Sequence, residues 1–407
     1  MNRNGIGNVF YIGNFDFPRG NAAGIRVLNN GYLLRELGYD VNYIGLSSSK
    51  CVGDSIDDSL KTYDNFKYYS LGYPRSIREW FLISDKLSSV KRTLVKYKPS
   101  FIILYGSLSN SIFTYCLIKW CRANGVTVYS DCVDWLHISS DSIFFKTFKT
   151  VDTYLQKRVF NTFCDGIITV SSHLSAFYNK LGINTVVIPP LNFPDRLNTT
   201  LSLDSNSNTV NLFYAGYPFA LNVKKANPKF FKDRLDLVLD YLAELNEFDF
   251  VFNVYGMAKD SYLKIIPRHE SVLKDLSHKV LFHGKVDNNI VNSALKEANY
   301  IVLLRHSNRM TNFGFPSKIS EAMGCGVPPI TTRTSDLDKY IRDGENGYFV
   351  DIDNPSLSIQ KLKAIFEKHV DTYPLISKSC INENPFYYSK YSGVLEKFLM
   401  KNLKKRI

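Results

Sequence analysis

The stretch Gly314-Phe315-Pro316-Ser317-Lys318-Ile319-Ser320-Glu321-Ala322-Met323-Gly324-Cys325-Gly326-Val327-Pro328 follows an apolar run at 300–304 and a polar loop. Strand, loop and helix in that order make half of an α/β unit. Pro316 suits a helix start, because its missing N–H would lack an intrahelical partner anyway, and Ser317 beside it leaves a first turn of N–H groups facing the loop. A helix N-terminus of this kind attracts anions. Lys318 and Glu321 are three residues apart and project from one side, which sets a cation beside a bound phosphate and a carboxylate able to accept two ribose hydroxyl protons. The same residues equally suit an ordinary capped helix, with Lys318 and Glu321 a solvated pair and Gly324 and Gly326 its stop.

Upstream, the second half of the chain reads as strand 211–215, helix 233–245, strands 248–255 and 280–283, helix 290–298 and strand 300–304; strand 329–331 follows the quoted stretch. The first half opens in the same way, with strand 8–12, a loop rich in Gly and Asn, and a helix over 27–37 stopped by Gly38. Strands at 41–45, 101–105, 126–130 and 166–170 continue it, with helical stretches such as 111–124 between them. Strand alternating with helix predicts parallel, helix-flanked sheets. Residues 198–209 are Asn, Ser and Thr with almost nothing to bury, which is the composition of an exposed linker. The expected organisation is a first domain over 1–197, a linker over 198–210, a second domain over 211–385, and a C-terminal helix at 386–407 that returns to the first domain and ends in a basic tail. A cleft between two such domains is the natural place for a ligand.

Composition narrows the function. At 407 residues and 45% hydrophobic content the chain is long enough for two cores. Its apolar runs fall far short of the roughly 20 residues that cross a bilayer, and the N-terminus lacks the pattern of a secretion signal. Seven cysteines without Cys-x-x-Cys spacing suit a reducing compartment, so a cytoplasmic location is expected, at most peripheral at the inner membrane face. A net charge of +12 favours anionic partners: nucleotides, acidic headgroups or nucleic acid. Basic residues interleave with Ile77, Trp80, Phe81 and Leu82 at 75–98, the pattern of a membrane-contact segment or of a plain solvated helix.

Gly314-Phe315-Pro316-Ser317-Lys318, Glu321-Ala322, Gly326-Val327-Pro328, Ser335-Asp336-Leu337 and Asp343-Gly344-Glu345-Asn346-Gly347 together resemble the C-terminal signature of the family 4 (group 1) glycosyltransferases. Asp165-Gly166-Ile167-Ile168-Thr169-Val170-Ser171-Ser172 is similar to that family's strand before the domain crossover. The resemblance covers nearly the whole chain. It implies the GT-B fold, two Rossmann-like domains facing across a deep cleft, and retaining transfer of a hexose from a nucleotide-diphosphate sugar, with no cofactor and no metal. It matches Glu321 to the glutamate on the donor ribose, Lys232 to a lysine on the diphosphate and Gly216 to the glycine opening the donor domain. The chain departs from the pattern at Phe313, where the family's paired-glutamate motif has an acid, and at Tyr217, where a basic residue commonly stands. Lys318 or Arg305 is then expected to supply charge, Arg305 as a second phosphate ligand.

In the first half, the loop Gly13-Asn14-Phe15-Asp16-Phe17-Pro18-Arg19-Gly20-Asn21-Ala22-Ala23-Gly24-Ile25-Arg26 has the small residues that permit close approach to a ligand, flanked by Arg19 and Arg26. Its glycines do not fit the dinucleotide fingerprint, and no acid ends the second strand, which disfavours an NAD enzyme. The loop resembles the family's glycine-rich active-site loop, with Gly20 and Asn21 as the expected contacts. At the exit of a later strand stand Asp131, Asp134, Trp135 and His137. Asp134 resembles the family's active-site acid, Asp131 is the fallback, and Trp135 could wall a sugar; helix capping is the alternative for both acids. His137 reads as structural.

By the same resemblance the acceptor is a saccharide or lipid-linked saccharide, the anionic membrane face a possible partner, and the setting bacterial surface-polysaccharide assembly (capsule, O-antigen or exopolysaccharide). No Cys/His or carboxylate spacing argues for bound metal. Two other readings stand beside this one: a nucleotide-sugar epimerase of the same fold, and a basic membrane- or nucleic-acid-binding module, nucleic acid being the weaker partner.

Overall fold

The computed structural model describes residues 6–47, 60–72, 79, 84–106, 111–134, 143–193, 208–219, 227 and 231–403. Two compact units emerge: one from the residues up to Leu191 together with Tyr388–Ile407, the other from Asn192–Tyr387. Most of the expected linker, 198–207, lies outside the described residues, as do residues 75–78 and 80–83 of the basic segment at 75–98.

The first unit is built on an eight-stranded sheet of β1 (Gly7–Gly13), β2 (Tyr39–Ser47), β3 (Lys61–Tyr63), β4 (Phe66–Gly72), β5 (Phe101–Tyr105), β6 (Thr127–Cys132), β7 (Gly166–Thr169) and β8 (Thr185–Val187). The order across it is β3-β4-β2-β1-β5-β6-β7-β8, parallel throughout except for β3 against β4. That hairpin turns at Asp64 and Asn65, both with positive φ, as Asp and Asn tolerate. β1 is central, and its residues alternate between faces. Phe10 and Ile12 enter a core with Val90, Leu94, Phe113, Leu117 and Ile118 from the helices Ser84–Tyr97 and Ser111–Ala123. Tyr11 points the other way, towards the helix Ala22–Glu36, where Asn30 donates to its hydroxyl at 3.0 Å.

The second unit holds a six-stranded parallel sheet in the order β11-β10-β9-β12-β13-β14, from β9 (Val210–Ala215), β10 (Phe250–Tyr255), β11 (Val280–Gly284), β12 (Tyr300–Leu303), β13 (Pro329–Thr331) and β14 (Tyr348–Phe349). Its strands are apolar on both faces because helices cover both. Leu212, Phe252 and Val302 pack with Leu239, Leu242 and Phe366, while Phe213 and Ile301 pack with Ala322 and Leu295 on the opposite side. Among the described residues no helix is long and apolar enough to cross a membrane.

The expected helix at 233–245 starts later than read, at Leu235–Ala243, because Asp233 and Arg234 are drawn into buried ion pairs ahead of it. Between Phe349 and the expected C-terminal helix the sequence reading marks no helices, yet Pro355–Glu367 and His369–Glu383 are there, the latter with Pro374 inside it.

At the C-terminal edge of this sheet Gly256 follows β10 with φ +95, and a Cβ there would stand 2.6 Å from the backbone oxygen of Gly216, after β9. Gly256→Ala therefore meets both a left-handed backbone penalty and a contact that no rotamer relieves, and should cost about 1–3 kcal/mol. Urea unfolding checks it; a wild-type midpoint would show that the two loops have slack.

Candidate functional site

The candidate donor residues cluster where β9 and β12 end. Asp233 lies buried there, accepting from Tyr214 Oη at 2.8 Å and from Arg305 Nε at 2.7 Å. Burial, and then the Asp233 charge, push the Tyr214 hydroxyl well above its ordinary range, so it stays a neutral donor. Arg305 is fixed at its backbone as well, since its N–H donates to Thr332 Oγ1 at 2.9 Å, and that hydroxyl donates back to the Arg305 carbonyl at 2.7 Å. Arg305 was expected on the donor phosphate; it is buried, and its Nε is spent on Asp233.

Lys232 and Asp233 both donate their N–H to the Pro218 carbonyl, at 2.8 and 3.1 Å, and the Lys232 side chain is exposed. Gly216, Lys232 and Arg305 are thus gathered around one carboxylate, Asp233, which the sequence pattern assigns to a helix. Next to it, buried Arg234 holds Asp236 through Nε and Nη2, at 2.8 and 2.7 Å, and its Nη1 meets His306 Nε2. Burial first, then the Arg234 cation, lower the His306 pKa, which keeps the ring neutral with its lone pair towards Arg234.

The polar loop after β12 runs through the short helix Arg309–Phe313, whose start is closed by a capping box between Asn308 and Thr311. It is tied down by Ser335, whose N–H donates to Asn312 Oδ1 at 3.0 Å and whose hydroxyl donates to the Gly314 carbonyl at 2.6 Å. The helix Ser317–Gly324 then begins at Pro316 with no side-chain cap. Lys318 Nζ and Glu321 Oε2 pair at 2.7 Å, both partly exposed. They pair with each other rather than with Asp233, so the two candidate groups are separate clusters on one strand edge.

In the first unit the structure separates the two acids that sequence left side by side. Asp131, on β6, is wholly buried: Arg26 holds it through Nε and Nη2, the latter at 2.7 Å, Tyr11 Oη donates to it, and Asn30 adds a contact at 3.3 Å. Arg26 also donates to the Ile188 and Pro189 carbonyls, at 3.1 and 3.3 Å. The fallback catalytic acid thus has its oxygens engaged in the core, and Arg26 does not flank the loop as a free cation. Asp134 lies beyond the strand end, a third exposed, paired with Lys157 Nζ at 2.8 Å. Trp135 and His137 lie outside the described residues.

The glycine-rich loop serves its own closure. Gly20 N–H donates to the Asp16 carbonyl at 3.0 Å, and a Cβ at Gly24 would collide with that same oxygen. Asn21 is the N-cap of the helix Ala22–Glu36, its Oδ1 accepting from Gly24 N–H at 2.8 Å. Gly20 and Asn21 remain exposed. Lys157 and Asp233 are the functional neighbours sequence reasoning missed. The alternating charges Lys232-Asp233-Arg234 ahead of a helical pattern were a signal for the second; nothing local marked the first.

Residues 221–368 match the family model described as "Glycosyl transferases group 1". Sequence comparison with curated proteins gives no match. Among solved structures, the chain is similar to sucrose-phosphate synthase from Thermosynechococcus elongatus, with TM-score 0.67 and 14% identity over 97% of this chain and 98% of that one. The catalytic domain of starch synthase IV from Arabidopsis thaliana, bound to ADP and acarbose, gives TM-score 0.67 and 12% identity over 98% and 99%. HepE from Anabaena, in complex with UDP, gives 0.61 and 14% over 97% and 100%.

The chain has the GT-B fold of these structures. The expectation of two Rossmann-like parallel-sheet domains is met.

The two acids should part company in stability. Asp131→Asn leaves Arg26 buried without its counter-charge and should cost about 3–5 kcal/mol, whereas Asp134→Asn loosens a part-exposed pair worth below about 1 kcal/mol. Paired urea titrations check this; equal costs would contradict the division into a buried and an accessible acid.

Proposed function

We propose that the chain is a metal-independent glycosyltransferase that takes a hexose from a nucleoside-diphosphate donor held by the second unit. The hexose passes, with retention, to a saccharide or lipid-linked saccharide in surface-polysaccharide assembly. The observation that carries the reading is the uncapped start of the helix Ser317–Gly324, with Lys318 and Glu321 on one side of its first turn, inside the matched segment. Structures of the same fold that hold UDP or ADP support a nucleoside-diphosphate donor.

In this reading the anomeric C–O bond breaks through an oxocarbenium-like transition state, and negative charge grows on the departing diphosphate. Lys232, Arg305 and the free N–H groups at Ser317 supply fixed positive charge and dipole where that charge appears. Asp233 keeps Arg305 from swinging away. Glu321, released from Lys318 as the donor enters, accepts both ribose hydroxyls. Asp134 offers its carboxylate to the positive character of the anomeric carbon, either as nucleophile or as a field under front-face attack guided by the leaving phosphate.

Glu321→Ala removes charged hydrogen bonds worth about 1.5–3 kcal/mol, so the donor Kd in calorimetry should rise between roughly ten- and a hundredfold. Unchanged affinity would take Glu321 out of the site. Activity should survive EDTA, since protein cations carry the diphosphate; loss on chelation, restored by magnesium or manganese, would contradict this. Asp134→Asn should lower kcat with donor affinity and melting temperature held, and near wild-type turnover would end its catalytic assignment.

A further inference from the structure

We propose that one helical face of the first unit, carrying Ile112, Val151 and Tyr154, docks on an anionic lipid bilayer. This deepens the lipid-linked acceptor reading above but stands on separate observations.

The first is charge. Segments 84–98, 111–123 and 143–163 together contain eleven Lys and Arg against two Asp; of the cations, Lys86 is buried on the Gly72 carbonyl and Lys157 is paired with Asp134. One of the acids, Asp152, is buried and spent on Ser111, accepting from its N–H and its hydroxyl at 2.7 Å each. Arg92, Lys96, Lys119, Arg122 and Arg158 are exposed.

The second is placement. Right-handed crossovers put the connections β4→β5, β5→β6 and β6→β7 on one face of the sheet, opposite the β1→β2 helix Ala22–Glu36. The three segments pack side by side there. Lys91 Nζ stands 5.9 Å from the Trp120 ring, and Tyr115 stacks on Phe160 at 4.8 Å. The Ser111–Asp152 hydrogen bonds bring the chain neighbours Ile112 and Val151 to one seam.

The third is what that seam exposes. Ile112 is 62%, Val151 52% and Tyr154 55% exposed, with Phe148 one turn before Val151 and Phe163, 5.5 Å from the Tyr115 ring, exposed as well. Cations sit over the aromatic rings: Lys119 Nζ lies 5.6 Å from the Tyr115 centroid and Arg158 Cζ 5.6 Å from that of Tyr154. An aqueous polyanion such as RNA would use the cations and the rings but gain little from Ile112 and Val151. A bilayer interface takes all of them, with aliphatic groups below the headgroups, tyrosine at their level and cations on the phosphates.

Co-sedimentation with vesicles of phosphatidylcholine alone, or mixed with phosphatidylglycerol, tests this on the full chain. The protein should bind only the mixed vesicles, and more weakly as salt rises. With about fivefold in affinity per basic side chain at an anionic surface, K119Q with R122Q should weaken binding roughly 25-fold. I112N with V151N should weaken it about tenfold at unchanged charge. Both double variants should keep the melting temperature and the donor affinity of the parent. Absence of vesicle binding, equal binding to neutral vesicles, or full binding by I112N/V151N would overturn the proposal. Single-stranded RNA binding that is untouched by I112N/V151N, without vesicle binding, would reassign the face to a polyanion. Donor calorimetry on the same samples separates the two readings: lost vesicle binding with intact donor binding sinks this face alone, and the reverse sinks the transferase.

Discussion

Parallel strands cannot be joined by a tight turn, and that constraint decides where everything else in this chain lies. Each strand must be re-entered from its starting end, so each is followed by a loop and, in most cases, a helix running back along the sheet. The loops that leave the C-terminal ends then collect on one edge, the place where ligands bind in open α/β sheets. β9 and β12 deliver Gly216 and Arg305 there, β1 delivers the glycine-rich loop, and β6 delivers Asp134. Within each unit, residues about a hundred positions apart become edge neighbours because of how the strands are connected.

The two units hold their edges in place by a similar device. In each, a buried aspartate binds an arginine and a tyrosine hydroxyl, and the tyrosine comes from the central portion of the sheet: Tyr11 on β1 for Asp131, Tyr214 on β9 for Asp233. Burial raises both tyrosines far above their ordinary range, with the neighbouring carboxylate adding to it, so each is a permanent donor. A buried pair of this kind adds little net stability, but it defines one geometry, because neither charge tolerates the loss of the other. In the first unit it joins the helix Ala22–Glu36 to β6 and to the chain after β8; in the second it orients an arginine beside an exposed lysine.

Much of this was legible in local pattern. Strands β5 and β13 and the helix Ser317–Gly324 coincide with the sequence reading residue for residue, because apolar runs there are bounded by Pro, Gly or Ser. The β3–β4 hairpin was not read, although Asp64-Asn65 between Tyr63 and Phe66 is a turn signal; a three-residue edge strand has too little periodicity to stand out. The site was harder. Asp131 and Asp134 are three residues apart and look alike in sequence, and what separates them is Arg26, a residue 105 positions away. Arg305 likewise reads as a free cation until Asp233, 72 positions earlier, is seen to occupy it. Pairing across such distances follows from topology and leaves no mark in spacing.

The helix Ser392–Leu403 belongs to the first unit although it follows the second in sequence. Phe398 packs its ring against Tyr129 at 5.3 Å, Tyr129 Oη donates to the Leu399 carbonyl at 3.3 Å, and the hydroxyls of Ser389 and Ser392 both donate to Glu36 at 2.7 Å. The second unit is therefore an insertion in sequence: Asn192–Tyr387 runs continuously between the two segments that build the first. Tyr129 and Leu399 meet across 270 positions, so the core of the first unit depends on contacts of high sequence separation, whereas the second is built from one continuous segment.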